Sequence, residues 1–153
     1  MEKMRIFIVE DEPIEALDLR QILMRLGYEV AGEAISGQEC IDKVAVLRPD
    51  LIMMDIKLEG AMDGIDTAWE LRTITDAPVI FITAMSDKSS LERAKVTEPY
   101  GFIVKPYNER ELFSTIETSL HRNWIDRRLR ESESKYRALF EQSRDAIFVC
   151  GRD

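Results

Sequence analysis

Five polar side chains each stand at the end of a short apolar run of the sequence: Glu10, Asp11, Asp55, Thr83 and Lys105. Short runs that are apolar throughout are typical of strands buried on both faces of a parallel sheet. Ligands of open α/β sheets bind beyond the carboxyl ends of the strands. We therefore expect these five side chains to converge on one site.

The chemistry of that site follows from its charges. Three converging carboxylates repel one another by about 4 kcal/mol per pair at 4 Å and an effective dielectric near 20. A divalent cation offsets this repulsion, and oxygen ligands without His or Cys predict Mg²⁺. With the ammonium of Lys105 and the hydroxyl of Thr83, the site has the groups that stabilise a transferring phosphoryl group. Asp55 is the predicted nucleophile, which becomes an aspartyl phosphate.

Five predicted strands alternate with five predicted helices. The strands are residues 6–9, 28–34, 51–55, 79–83 and 102–106. Pro13 marks the start of the first helix. Ser36 and Asn108 mark two further starts, because each is followed three residues later by a Glu, as in an N-terminal helix cap. This alternation predicts a doubly wound α/β fold with a five-stranded parallel sheet, right-handed crossovers and flavodoxin-like topology.

Composition narrows the function classes. The net charge of −8 argues against a nucleic-acid surface, and no apolar run approaches the roughly 20 residues that span a bilayer. Two cysteines without metal-ligand spacing favour a reducing compartment. The first five residues lead straight into a strand, without the pattern of a signal peptide. We expect a cytoplasmic protein segment with no membrane or nucleic-acid partner.

Taken together, these motifs resemble the receiver domain of two-component response regulators, over about residues 4 to 121. The resemblance implies that Asp55 accepts a phosphoryl group from a phosphohistidine of a histidine kinase or phosphotransfer domain. It also implies that Asp11 binds Mg²⁺ directly and that Glu10 acts largely through water. The backbone carbonyl of Lys57 would complete the metal site.

The same resemblance assigns roles on the last two strands. Thr83 and Lys105 would bind phosphoryl oxygens, and Phe102 occupies the aromatic position that switches with phosphorylation. The peptide bond from Lys105 to Pro106 is expected to be cis.

The sequence also departs from the family pattern. Glu10 replaces the more usual Asp, and the loop of residues 56–64 is one residue longer than the commonest version. Side chains at the positions of Lys57 and Met85 are linked in the family to the lifetime of the phosphoryl group. Because Lys57 offers no acceptor for an attacking water and Met85 is apolar, we expect a lifetime of many minutes or longer.

The C-terminal third has a different character. After the receiver, residues 1–121, a linker helix is predicted over residues 122–139, since residues 123–141 lack Gly and Pro. Apolar residues recur there with the spacing of a two-stranded coiled coil, which predicts a homodimer. Residues 140–153 resemble the start of a PAS sensory domain up to its first strand, with Arg144 where proline is common. We expect a segment of a larger signalling protein that includes a PAS domain and, as one alternative, a histidine kinase.

Three other kinds of protein use similar sheets. A receiver-like binding module that is never phosphorylated would not need Asp55, Thr83 and Lys105 together. A phosphohydrolase would carry a second Asp where this chain has Lys57. A flavin protein would need a phosphate loop rich in Ser, Thr and Gly after the first strand, where this chain is acidic. The phosphoaccepting receiver therefore fits the sequence best.

Overall fold

The computed structural model describes residues 2–84 and 88–151, with side chains up to Leu139. The strands are β1 Arg5–Val9, β2 Glu29–Ala34, β3 Leu51–Asp55, β4 Val79–Ala84 and β5 Gly101–Lys105. The helices are α1 Pro13–Arg25, α2 Gly37–Leu47, α3 Gly64–Leu71, α4 Lys88–Val96 and α5 Glu109–Gly151. The prediction for Met85 lies outside the described residues.

All five strands are parallel and lie in the order β2-β1-β3-β4-β5. The predicted fold class is therefore confirmed. The order reverses between β1 and β3, where connections leave toward opposite faces of the sheet. A crevice opens at such a point beyond the carboxyl ends of the two strands. Val9 of β1 pairs there with Met54 of β3, so that Glu10 and Asp55 follow side by side.

The central strands β1, β3 and β4 are buried on both faces of the sheet, as their apolar runs predict. On one face, Ile52 and Met54 of β3 pack with residues of α2, α3 and α4. On the other face, Leu51 and Met53 pack with residues of α1 and α5. Burying each such side chain stabilises the fold by about 1.5–3 kcal/mol, so β3 is held rigidly from both sides. Asp55 is fixed at the end of this strand.

Helix caps determine how the loops enter the helices. Asn108 accepts a hydrogen bond from the backbone N–H of Glu111 at 2.7 Å, and Ser36 caps α2, as predicted. A cap that the sequence prediction missed begins α3. There the side chains of Asp63 and Asp66 each accept from the other residue's backbone N–H, at 2.8 and 3.2 Å. This reciprocal pair fixes the end of the loop after β3.

Helix α5 is one continuous helix to Gly151, and the chain divides into two compact units, Met1–Leu120 and His121–Asp153. The prediction that residues 140–153 include a first PAS strand is wrong, because the backbone is helical as far as Gly151. A helix satisfies its own backbone hydrogen bonds, whereas a lone strand needs a neighbour. Over the described residues, no helix is long and apolar enough to cross a membrane.

Candidate functional site

A pocket of about 350 Å³ lies at the carboxyl edge of the sheet, beyond β1, β3, β4 and β5. It brings together six of the residues predicted from sequence. They are Glu10, Asp11, Asp55, Lys57, Thr83 and Lys105. Its remaining lining residues come from the N-terminal end of α1 with its cap, the loop after β3 and the last residue of β4: Glu12, Glu15, Ile56, Leu58, Glu59 and Ala84.

Three carboxylates form the centre of the pocket. Glu10, Asp11 and Asp55 each place an oxygen within 4.8 Å of the others. Glu10 and Asp55 are buried, with 4% and 6% of their surfaces exposed, whereas Asp11 is partly open to solvent. An all-oxygen set with one accessible member suits a hard divalent cation that keeps part of its water shell. The donor set therefore fits Mg²⁺.

Lys105 provides the positive charge beside this cluster. Its Nζ lies 3.2 Å from Oδ2 of Asp55 and 3.6 Å from Oε2 of Glu10. A third carboxylate, Glu15 of α1, is closer still at 2.7 Å. The peptide bond that follows, between Lys105 and Pro106, is cis. The ammonium thus lies between Asp55 and the first turn of α1.

Backbone N–H groups orient the three carboxylates. Lys57 donates to Oδ1 of Asp55 at 3.0 Å, so that Oδ1 and Oδ2 of Asp55 face different partners. Glu12 donates to Oε1 of Glu10 at 3.1 Å, and Glu59 donates to Oδ2 of Asp11 at 3.2 Å. Because these donors belong to the backbone, they hold the carboxylates in place whatever the neighbouring side chains are.

Burial and the charged side chains of the pocket shift the pKa values of Glu10 and Lys105. Burial raises the pKa of Glu10, and the hydrogen bond to Asp55 and its negative charge raise it further, to about 9. Burial lowers the pKa of Lys105, but its hydrogen bond to Glu15 and the charges of Asp55 and Glu10 outweigh this and raise it overall. The pocket therefore opposes a third negative charge and favours a cation.

The two predicted switch residues lie in different surroundings. Thr83 is buried, lines the pocket and donates its hydroxyl to the carbonyl of Ala84 at 3.2 Å. Phe102 is not among the described lining residues. Its partly exposed ring packs against Phe81, with ring centroids 5.9 Å apart. Phe81 lies two residues before Thr83 on β4, so a short stretch of one strand connects the pocket with Phe102.

Sequence reasoning missed two residues that shape the site. Glu15 pairs with Lys105, and Gly64 packs against the strand that carries Asp55. A Cβ placed on Gly64 would lie within 3.0 Å of backbone atoms of Asp55 and Ile56. The N–H of Gly64 also donates to the carbonyl of Ile56 at 2.8 Å. The signal available for Gly64 was its position directly after an Asp that begins a helix.

The fold and this pocket define a doubly wound α/β domain with an acidic site at the carboxyl edge of its sheet. Comparison with known proteins identifies its family. The sequence profile of the response regulator receiver domain matches residues 6–117. The chain belongs to this family.

Three relatives illustrate the match. The transcriptional regulatory protein PdtaR of Mycobacterium tuberculosis is 37% identical over 118 residues, which are 77% of this chain and 57% of that protein. The receiver domain of a modulated diguanylate cyclase from Desulfovibrio desulfuricans is 37% identical with a TM-score of 0.77, covering 82% of this chain and 99% of that one. The N-terminal domain of a response regulator/sensory box/GGDEF 3-domain protein from Carboxydothermus hydrogenoformans is 34% identical with a TM-score of 0.74, covering 80% and 98%.

The alignment with PdtaR thus spans little more than half the length of that curated relative.

Proposed function

We propose that this chain is a phosphoacceptor whose Asp55 takes a phosphoryl group from a phosphohistidine of a histidine kinase or phosphotransfer domain in the cytoplasm. The observation that carries the proposal is the contact between Lys105 and Asp55, 3.2 Å, within a cluster of three carboxylates. A structural ion pair alone would not require two further acidic side chains beside it. Membership of the receiver family supports the same reading.

In this reaction Asp55 acts as the nucleophile. One of its carboxylate oxygens attacks the phosphorus atom, the new O–P bond forms, and the N–P bond breaks with its electron pair returning to the imidazole of the donor. Lys105 is close enough to the carboxylate to bind an oxygen of the transferred group. Thr83, in the same pocket, would donate its hydroxyl to a second oxygen once it leaves the carbonyl of Ala84.

Mg²⁺ is the proposed cofactor. Glu10, Asp11 and Asp55 would hold it, with the backbone carbonyl of Lys57, because their oxygens cluster and two of the three carboxylates are buried. When bound, the ion neutralises charge on the phosphoryl oxygens. The protein's own share is to orient Asp55 through the N–H of Lys57 and to place the ammonium of Lys105 beside its carboxylate.

The proposed output runs through the face made by α4, β5 and α5. A phosphoryl group that draws Thr83 toward Asp55 would vacate space along β4, into which Phe102 could move from its place against Phe81. Two packings of one aromatic ring, biased by a new hydrogen bond, are a two-state element of the kind that signalling needs. Attached output or sensory domains would read this face.

We also propose that the linker helix forms a homodimer. Five residues, here called the linker seam, follow the a/d spacing of a coiled coil: Ile125, Leu129, Ser132, Tyr136 and Leu139. The four apolar or aromatic members are 44% to 68% exposed over the part of the chain whose side chains are described. A second copy would bury them against equivalent residues.

Residues 140–153 are proposed to begin a PAS domain, on the strength of their sequence. The Carboxydothermus hydrogenoformans relative, whose name joins a response regulator to a sensory box, supports a receiver followed by a sensory domain. The part of α5 before residue 140 would then connect the two domains.

The proposal is tested by phosphorylation with a small donor. Acetyl phosphate and Mg²⁺ should add one phosphoryl group to the chain, a chelator should prevent the addition, and Asp55→Asn should abolish it.

A further inference from the structure

Lys105 has a partner that the phosphoacceptor role does not require. Its Nζ donates to Oε2 of Glu15 at 2.7 Å, a shorter contact than those to Asp55 at 3.2 Å and Glu10 at 3.6 Å. Glu15 lies in the first turn of α1, which Pro13 begins. The residue is therefore placed by a helix, independently of the strands that carry the other carboxylates.

The position of Glu15 at the mouth of the pocket matters for the lysine. The side chain of Glu15 is 48% exposed and that of Lys105 27% exposed, whereas Asp55 and Glu10 are buried. The ammonium is thus shared between a buried carboxylate and one at the surface. A phosphoryl group on Asp55 would compete with Glu15 for the same three N–H donors of the ammonium.

We propose that Glu15 is a positioning residue that retains Lys105 before phosphorylation and must release it when Asp55 is phosphorylated. The inference rests on the proposed phosphoacceptor function. A partly exposed ion pair is weak, so Glu15 delays capture of the phosphoryl oxygen without preventing it. The ion pair between Glu15 and Lys105 would thus set the rate at which a phosphoryl donor phosphorylates Asp55.

A second effect of Glu15 must be separated from this one. Its negative charge also repels an anionic donor at the mouth of the pocket, and as an acidic residue in a first helical turn it stabilises α1. Glu12 offers a matched control. It lines the same pocket and carries the same charge, and its side chain is not among the described partners of Lys105.

The test compares second-order rate constants for phosphorylation by acetyl phosphate with saturating Mg²⁺, followed by intact mass. We expect Glu15→Gln to exceed Glu12→Gln by about two- to fivefold, the factor for a partly exposed ion pair. Glu15→Asp keeps the charge at the helix terminus but shortens the arm by one methylene. It should be accelerated like Glu15→Gln if contact with Lys105 is what matters.

The outcomes separate the two proposals. If Glu15→Gln and Glu12→Gln react at the same rate, or if Glu15→Asp matches the wild type, the role of Glu15 is wrong while the phosphoacceptor function stands. If the wild-type chain takes up no phosphoryl group, both proposals are overturned. Thermal unfolding of each variant checks that the rates compare folded proteins.

Discussion

Gly64, the first residue of α3, packs directly against the backbone of Asp55. A Cβ at this position would lie within 3.0 Å of the carbonyl carbon and oxygen of Asp55. These backbone atoms have no freedom to move aside, since β3 is buried on both faces. The geometry of the proposed phosphoacceptor therefore depends on the absence of a side chain nine residues further along the chain.

The substitution Gly64→Ala should lower the free energy of unfolding by about 1–3 kcal/mol, as overpacking does. It should also slow phosphorylation by roughly ten- to a hundredfold, because Asp55 is displaced from Lys105. Denaturant unfolding and phosphorylation kinetics measure the two effects.

Gly101→Ala is a matched control for this variant. Its Cβ would approach side-chain atoms of Thr115 and Ser119 at 2.9 and 3.2 Å, at the end of β5 opposite Lys105. It should reduce stability while leaving the phosphorylation rate of the folded protein nearly unchanged. Equal losses of rate in the two variants would show that Gly64 has no specific effect on Asp55.

The cap of α3 gives a pH prediction. Burial would raise the pKa of Asp63, but hydrogen bonds from the backbone of Asp66 and from Arg93, with the charge of Arg93, lower it overall. A lowered pKa in the folded state contributes stability above the ordinary Asp value near 3.9, and this stability is lost as the pH falls through the folded value.

At neutral pH, Asp63→Asn should therefore reduce the free energy of unfolding by about 1 kcal/mol or less, since Asn caps helices as well as Asp and the ion pair to Arg93 is exposed. Urea unfolding between pH 7 and pH 3 should show the wild type and the variant converging as the pH falls below about 4. A difference that stays constant over this range would contradict the lowered pKa.

The metal site gives a third prediction. Asp11→Asn removes the most accessible carboxylate of the cluster, and Mg²⁺ affinity should fall by at least about tenfold. Calorimetric titration measures it, with Glu12→Gln as a control that removes one charge from the same pocket. Unchanged affinity in Asp11→Asn would show that the acidic cluster has been assigned wrongly.

The site residues at the strand ends could be predicted because β1, β3, β4 and β5 each contain a short apolar run that a polar residue follows directly. That pattern located Asp55, Thr83 and Lys105 without tertiary information. The contact between Glu15 and Lys105 could not be found in the same way, because it joins residues 90 positions apart across the helix and sheet layers.

In the C-terminal region, one prediction from the sequence was confirmed and another was wrong. Absence of Gly and Pro predicted a helix beyond residue 121, and α5 does continue. The strand expected within residues 140–153 came from family resemblance alone. Local pattern does not decide between helix and strand for such a short apolar stretch, because the choice depends on whether a neighbouring strand is present to pair with.

The linker seam gives a fourth prediction. Leu129→Lys should dissociate the dimer, because it places a charge in the apolar seam, whereas Glu131→Lys introduces the same residue outside it. Sedimentation equilibrium of both variants, beside the full chain and a chain ending at His121, measures the masses. Phosphorylation should change the dimerisation constant of the full chain. Equal monomeric masses throughout, with and without phosphorylation, would remove the linker seam from the mechanism.

The central claim, that Asp55 accepts a phosphoryl group, is tested most directly by intact mass after incubation with acetyl phosphate and Mg²⁺. The wild-type chain should gain the mass of one phosphoryl group, and Asp55→Asn should gain none under the same conditions. No gain in the folded wild type, or an equal gain in Asp55→Asn, would contradict the account.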